Sequence, residues 1–234
     1  MASVRKLADF SQTGTRELIA EDYVYQIKRL AHPKLHSPIY GLMADYIAGL
    51  REYADVLKQA DQNRPEEKTF LDLRDYQLEG VQVVDRYTYR ITIKGKYPQF
   101  VYWLAMPFFA PIPWEADRFY SQQGLKQKNI TLDWYPVGTG PYMLTENDPN
   151  SRMVLEKNPN FHDEYYPAEG MSGDEENGLL VDAGKKLPFI DKIIFTREKE
   201  SIPRWNKFLQ GYYDASGIGS DSFDQAVQLV GQGE

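Results

Sequence analysis

Apolar residues first recur at helical spacing in residues 21–30. Tyr23, Val24, Ile27, Leu30 and Ala31 fall on one face, which predicts a helix that Pro33 stops. Ser37-Pro38 then reads as an N-cap followed by an N1 proline. A second helix is predicted from residue 38 towards residue 60, with a break at Gly49. The period next changes to two. Val81, Val83, Tyr87, Tyr89, Ile91 and Ile93 alternate with polar residues around Asp85-Arg86, predicting an antiparallel pair with one buried face. Pro98 opens a short helix through Leu104. Pro107, Pro111 and Pro113 force extended backbone, and residues 114–120 offer one or two helical turns.

A second hairpin is predicted over residues 140–158. Tyr142-Met143-Leu144 and Met153-Val154-Leu155 are its arms, and Asp148-Pro149-Asn150-Ser151 is a run of turn formers. Residues 162–186 carry Gly, Asp, Glu and Lys with few apolar anchors and read as a long surface insertion. A strand over 190–196, a helix over 203–209 and a strand or turn over 214–218 complete the pattern. The fold class this supports is α/β in the mixed α+β sense.

Composition narrows the function. The 234 residues include 42% hydrophobic and 26% charged, enough to build a core. The net charge of −7 argues against nucleic acid, which needs a basic stripe. There is no cysteine, so disulfides, thiolate nucleophiles and Cys-based zinc sites are excluded. No apolar run approaches the ~20 residues that span a bilayer, and the first residues lack the apolar stretch of a secretory signal. The 17 tyrosines suit either recognition surfaces or half-buried strands.

Candidate chemistry fails on inspection. Gly138-Thr139-Gly140 leads through Pro141 into a strand, whereas a phosphate loop ends in Gly-Lys-Ser/Thr and opens a helix. Gly138, Gly140 and Pro141 are read instead as a structural turn in which glycine allows tight backbone or close packing. His32 and His36 have helical metal spacing, yet Pro33 lies between them and no third ligand follows; His162 stands alone. The carboxylates, including the Asp174-Glu175-Glu176 run, single out no acid pair, and Gly217-Ile218-Gly219-Ser220 does not fit a nucleophile elbow. No catalytic constellation, metal site or cofactor site is predicted. A carboxylate-based hydrolase and a structural or protein-interaction domain are the rival functions.

Three stretches in order resemble the bacterial extracellular solute-binding proteins of family 5, the oligopeptide- and dipeptide-binding group. The first is Ile19-Ala20-Glu21-Asp22-Tyr23-Val24 through Lys28-Arg29-Leu30, followed by Pro33 and Ser37-Pro38. The second is Gly138-Thr139-Gly140-Pro141-Tyr142, then Arg152 to Asn158-Pro159-Asn160-Phe161. The third is Pro188-Phe189-Ile190-Asp191-Lys192-Ile193, then a helix, Gln210-Gly211 and Asp214. Departures are Ile19 where the family has a helix-capping threonine, Asn147 for a tryptophan, and Phe161-His162 for Tyr-Trp.

The resemblance implies one lobe of a type 2 periplasmic-binding-protein fold, with a twisted mixed sheet and a smaller helix-and-strand subdomain. It covers residues 18–219 of this sequence and less than half of a family member. Residues 1–17 are then a tag or partial N-terminal segment, 18–130 the smaller subdomain, and 131–234 part of the larger lobe. The implied function is capture of a peptide or similar solute in the periplasm, or outside the cell at the membrane, by a monomer that delivers it to an ABC-transporter permease. It implies no enzyme activity. The segments that would face the solute carry Pro38 and Ile39, Met106, and Ser216, Gly217 and Ile218.

Overall fold

A computed structural model describes residues 15–65 and 70–231. The chain divides between Gly140 and Pro141 into two compact units. The fold is mixed α/β, with one small antiparallel sheet in each unit.

In the first unit, helix α1 (Ala20–Arg29) buries Val24, Tyr25 and Ile27. Its cap residue is Ile19, which has no side-chain acceptor for the free N–H groups. Two donors at the helix start are satisfied by other groups. The Asp22 carboxylate accepts from the Ile19 N–H at 3.0 Å, and the Arg86 carbonyl accepts from the Ala20 N–H at 2.9 Å. The N3 donor that a cap hydroxyl could serve, the Asp22 N–H, meets the Ile19 carbonyl at 3.1 Å instead.

Helices α2 (Tyr40–Tyr46) and α3 (Leu50–Gln62) replace the single helix predicted from residue 38. Ser37 does not cap α2; the cap residue is Ile39, and the Tyr40 N–H donates to the Ser37 carbonyl at 3.2 Å. The serine thus contributes its main chain to a turn ahead of the helix. The break lies where expected. Ile47 is extended and Gly49 takes φ +74°, a left-handed conformation that favours glycine.

Strands β1 (Val81–Asp85) and β2 (Thr88–Ile91) form the predicted antiparallel pair, with Val81 opposite Ile91 and Val83 opposite Tyr89. The turn is Arg86-Tyr87, one residue later than predicted. Tyr23 of α1 stacks on Tyr89 at 5.4 Å. The buried face is thinner than its alternation suggests, because Val83 remains 45% exposed. Past β2, Ile47 bridges Ile93, and the Ala48 N–H donates to the Thr92 carbonyl at 3.0 Å. The α2–α3 connection thereby lies against Gly80, where a Cβ would stand 2.1 Å from the Ala48 carbonyl oxygen. Met43, Ile47, Leu50, Leu57 and Leu73 form the fully buried centre, with Ile39, Phe100 and Phe109 in the same cluster. Helices α4 (Phe100–Trp103) and α5 (Trp114–Tyr120) follow, joined by the proline-rich segment.

The second unit holds β3 (Tyr142–Asn147), β4 (Arg152–Lys157) and β5 (Lys192–Thr196) in that order, antiparallel throughout. The mixed sheet that the resemblance implies is not seen among the described residues, where β3, β4 and β5 pair antiparallel. Exposed ion pairs, Arg152–Glu146 at 2.8 Å and Lys192–Glu156 at 2.7 Å, span one face of the sheet. The excursion carries no helix or strand of its own beyond a bridge between Tyr165 and Lys186. Helix α6 (Ser201–Leu209) buries Trp205, whose indole N–H donates to Gln225 at 2.8 Å on α7 (Phe223–Gly231). Residues 214–218 are a non-regular segment, and α7 was not predicted from the sequence.

Candidate functional site

The polar residues of α1 position the segment that carries Met106. Gln26 is buried, and its Nε2 donates to the Phe108 carbonyl at 2.7 Å. The Ile112 N–H donates to the Asp22 carbonyl at 3.3 Å. Tyr25 donates from its hydroxyl to Asp117 at 2.7 Å, and Arg29 reaches the same carboxylate at 3.1 Å, fixing α5. Burial, reinforced by Asp117, raises the Tyr25 pKa, so this tyrosine is a permanent donor. Arg16 clamps Asp22 at 2.5 Å and Glu115 at 2.9 Å. These bonds fix main chain between prolines, which has few ladder partners of its own.

On this frame the segment displays apolar side chains to solvent. Phe100 and Trp103 of α4 point to the core, while Val101 and Tyr102 are exposed. Met106 is 42% exposed and Phe109 is buried. Of the other predicted pair, Pro38 is exposed and Ile39 belongs to the core cluster. The Ile39 side chain is therefore an anchor for its turn, and only the adjacent surface can meet a ligand.

The loop before α2 is held by His32. Its Nδ1 accepts from the Lys34 N–H at 3.1 Å. Burial lowers the His32 pKa below the ordinary value of 6.5; Asp117 and Asp61 oppose that effect, and Arg29 and Arg64 add to it. The imidazole is thus kept neutral and able to accept.

A separate cleft of about 440 Å³ lies between α1 and residues 74–83. Val24, Leu78 and Val81 form its apolar lining, with Glu21, Lys28 and Glu79 among its polar groups. Lys28 spends two of its three donors on the carbonyls of Tyr76 at 2.7 Å and Leu73 at 3.2 Å. None of the sequence-predicted site residues lines this cleft.

In the second unit, Ser216, Gly217 and Ile218 run alongside α6. A Cβ on Gly219 would lie 3.1 Å from the Ser201 Cβ, and one on Gly217 would lie 4.0 Å from Arg204 Nη2. The two glycines thus pass residues one helical turn apart. Ser216 is half-buried, with its hydroxyl donating to the Gly217 carbonyl at 3.1 Å, while Gly217 and Ile218 are exposed. Glycine at 211 ends α6 at φ +79°, with the Tyr212 N–H on the Lys207 carbonyl and the Gly211 N–H on the Phe208 carbonyl, both at 2.9 Å. That is a Schellman cap, and it explains the Gln210-Gly211 pair physically.

The Gly138–Pro141 turn corrects the sequence reading. Neither glycine has a left-handed φ, and a Cβ on either would meet nothing within 4 Å. Glycine is demanded elsewhere, by left-handed φ at positions such as Gly49 and Gly211 and by close main chain at Gly80. Among the described residues no group of three or more His, Cys, Asp or Glu could hold a metal. No helix among them is long and apolar enough to cross a membrane. Gln26 and Arg204 were not singled out from the sequence, since one sits inside a helical repeat and the other in a short helix with no motif around it.

Comparison with known proteins agrees with this architecture. The periplasmic oligopeptide-binding protein OppA of Salmonella typhimurium is 29% identical over 152 residues, covering 62% of this chain and 23% of that protein. The crystal structure of OppAIV from Borrelia burgdorferi superposes with a TM-score of 0.60 at 22% identity, over 89% of this chain and 34% of that one. Haemophilus influenzae OppA in complex with the peptide RPPGFSPFR gives 0.59 at 17% identity, over 92% and 34%. At these identities the structures show a shared fold, and the chain spans about a third of their length. The family model for bacterial extracellular solute-binding proteins, family 5 Middle, matches residues 5–229, so the chain belongs to the family 5 extracellular solute-binding proteins.

Proposed function

We propose that this chain forms part of a protein that captures peptides, or a chemically similar solute, and hands them to an ABC-transporter permease. The observation that carries the reading is the family match over residues 5–229. Binding without chemistry follows: affinity comes from apolar burial and a few oriented polar groups, and enclosure between lobes excludes water. Residues 18–130 are assigned to the smaller subdomain and 131–234 to the larger lobe, with residues 1–17 as a tag or partial N-terminal segment. The solute meets the surfaces around Pro38–Ile39, Met106 and Ser216–Ile218, and the protein works as a monomer in the periplasm or at the outer face of the membrane. Extended peptides suit such surfaces because main-chain groups can hold them with little dependence on side-chain identity.

A titration of the isotope-labelled chain, followed by NMR, tests this. A pool of tri- to pentapeptides at millimolar concentration is expected to shift amide signals of residues 216–218. A pool of mono- and disaccharides at the same concentration is expected to leave them in place. Shifts from the saccharides alone, or from neither pool, would refute peptide capture.

A further inference from the structure

Arg204 stands out in the second unit. Its side chain is half-buried, and its Nε is shielded from solvent without a hydrogen-bond partner. Asp214, Asp221 and Asp224 are near in sequence, yet among the described residues no carboxylate pairs with it. A partly desolvated charge with an unmet donor is costly unless an anion completes it. Acceptors are not scarce in a chain with a net charge of −7. Three other cations of this unit are matched: Arg152 with Glu146, Lys192 with Glu156, and Lys207 with Glu198.

The Nη2 end of the same guanidinium lies beside Gly217. The Nη2 lies within 4.0 Å of where a Gly217 Cβ would stand, beside an exposed, side-chain-free stretch of main chain. Gly219 against Ser201 and Gly217 against Arg204 hold that stretch along the first half of α6. Glycine at 217 places no side chain beside Nη2, which a Cβ there would approach to 4.0 Å.

We propose that Arg204 is a specificity-determining residue that receives a carboxylate of the bound solute beside Gly217. The inference rests on the peptide-capture reading above and adds the chemical group recognised at this point. A planar guanidinium matches a carboxylate with two parallel N–H···O bonds, which a lysine cannot reproduce. The carboxylate comes either from a peptide's C-terminus or from an acidic side chain.

The test follows the Arg204 Nε–H signal in the labelled chain by NMR, with trialanine, trialanine amide and Ala-Glu-Ala amide as probes. Trialanine is expected to shift that signal, and trialanine amide to bind about tenfold to a hundredfold more weakly. Arg204→Gln should lose the same factor for trialanine and lose nothing further for its amide, which is the coupling signature of a direct contact. Arg204→Lys should fall between. Recovery of the Arg204 shift by Ala-Glu-Ala amide assigns the site to an acidic side chain; a shift with trialanine alone assigns it to the C-terminus. Equal binding of trialanine and its amide, with Arg204→Gln unchanged, overturns the inference and leaves peptide capture standing. No response from any probe at any amide in the chain removes peptide capture, and the inference with it.

Discussion

Gln26 donates from Nε2 to the main-chain carbonyl of Phe108 at 2.7 Å, joining the middle of α1 to the segment that carries Met106. The two residues are far apart in sequence, and the bond is buried at its Gln26 end. Together with the buried Asp22, Gln26 is a polar group on the inward face of α1, and its bond holds a surface segment in place.

Replacing Gln26 by Leu keeps volume and removes the donor. Leaving the Phe108 carbonyl without its partner should cost about 1–3 kcal/mol. Urea unfolding should show a lower midpoint with an unchanged slope. Hydrogen exchange should speed up in residues 106–110 more than in α3. A loss spread evenly over the first unit would show that Gln26 acts as core packing only.

Among the described glycines, Gly80 is the one where a Cβ would meet the closest neighbour. A Cβ there would meet the Ala48 oxygen at 2.1 Å and the Ala48 carbonyl carbon at 2.9 Å, both main-chain atoms. Relief requires moving the α2–α3 connection away from β2, and overpacking of this kind costs about 1–3 kcal/mol or more. Gly80→Ala should therefore lower the melting temperature clearly, while Gly140→Ala, in open space with ordinary φ, should stay within about 0.5 kcal/mol of the parent. Similar shifts for the two would contradict the packing around Ala48.

Gly211 tests a different property. Its surroundings are open, so sterics with neighbours play no part, but its φ is +79°. Gly211→Ala places a Cβ in left-handed backbone at a cost of about 1–2 kcal/mol. Gly211→Asn should recover part of this, because asparagine tolerates that region. Thermal unfolding of the three proteins should rank glycine, asparagine, alanine.

These glycines mark the boundary of what the sequence shows. Helix α1, the break at Gly49, both hairpins and the position of α6 follow from local patterns. Periodicity, proline and turn residues act over a few residues and leave their mark there. Gly80 looks like any turn glycine until Ala48 is known to lie on it. Gly138 and Gly140 sit in a conspicuous motif yet have no local need for glycine in this structure. Ser37 reads as a cap, but the capping question at α1 is answered by Arg86, from the far hairpin. The same limit holds at the candidate site. Family resemblance pointed to residues 216–218, whereas Arg204 emerges only when α6 is laid against Gly217.

The loop before α2 should respond to acid through His32. In the folded chain, burial holds its pKa below the ordinary 6.5, and its Nδ1 accepts from the Lys34 N–H at 3.1 Å. The unfolded chain takes up a proton near pH 6.5, while the folded chain resists until lower pH. Stability contributed by neutral His32 is therefore fully present above about pH 6.5 and is lost as pH falls through the lowered folded value. Protonation also removes the acceptor; Asp117 and Asp61 offset the repulsion from Arg29 and Arg64, so desolvation is what opposes the charge. Unfolding free energy measured from pH 8 to pH 5 should fall more steeply for the parent than for His32→Asn, which can still accept from the Lys34 N–H and does not titrate. Parallel curves for the two proteins would mean that His32 is not the group that responds.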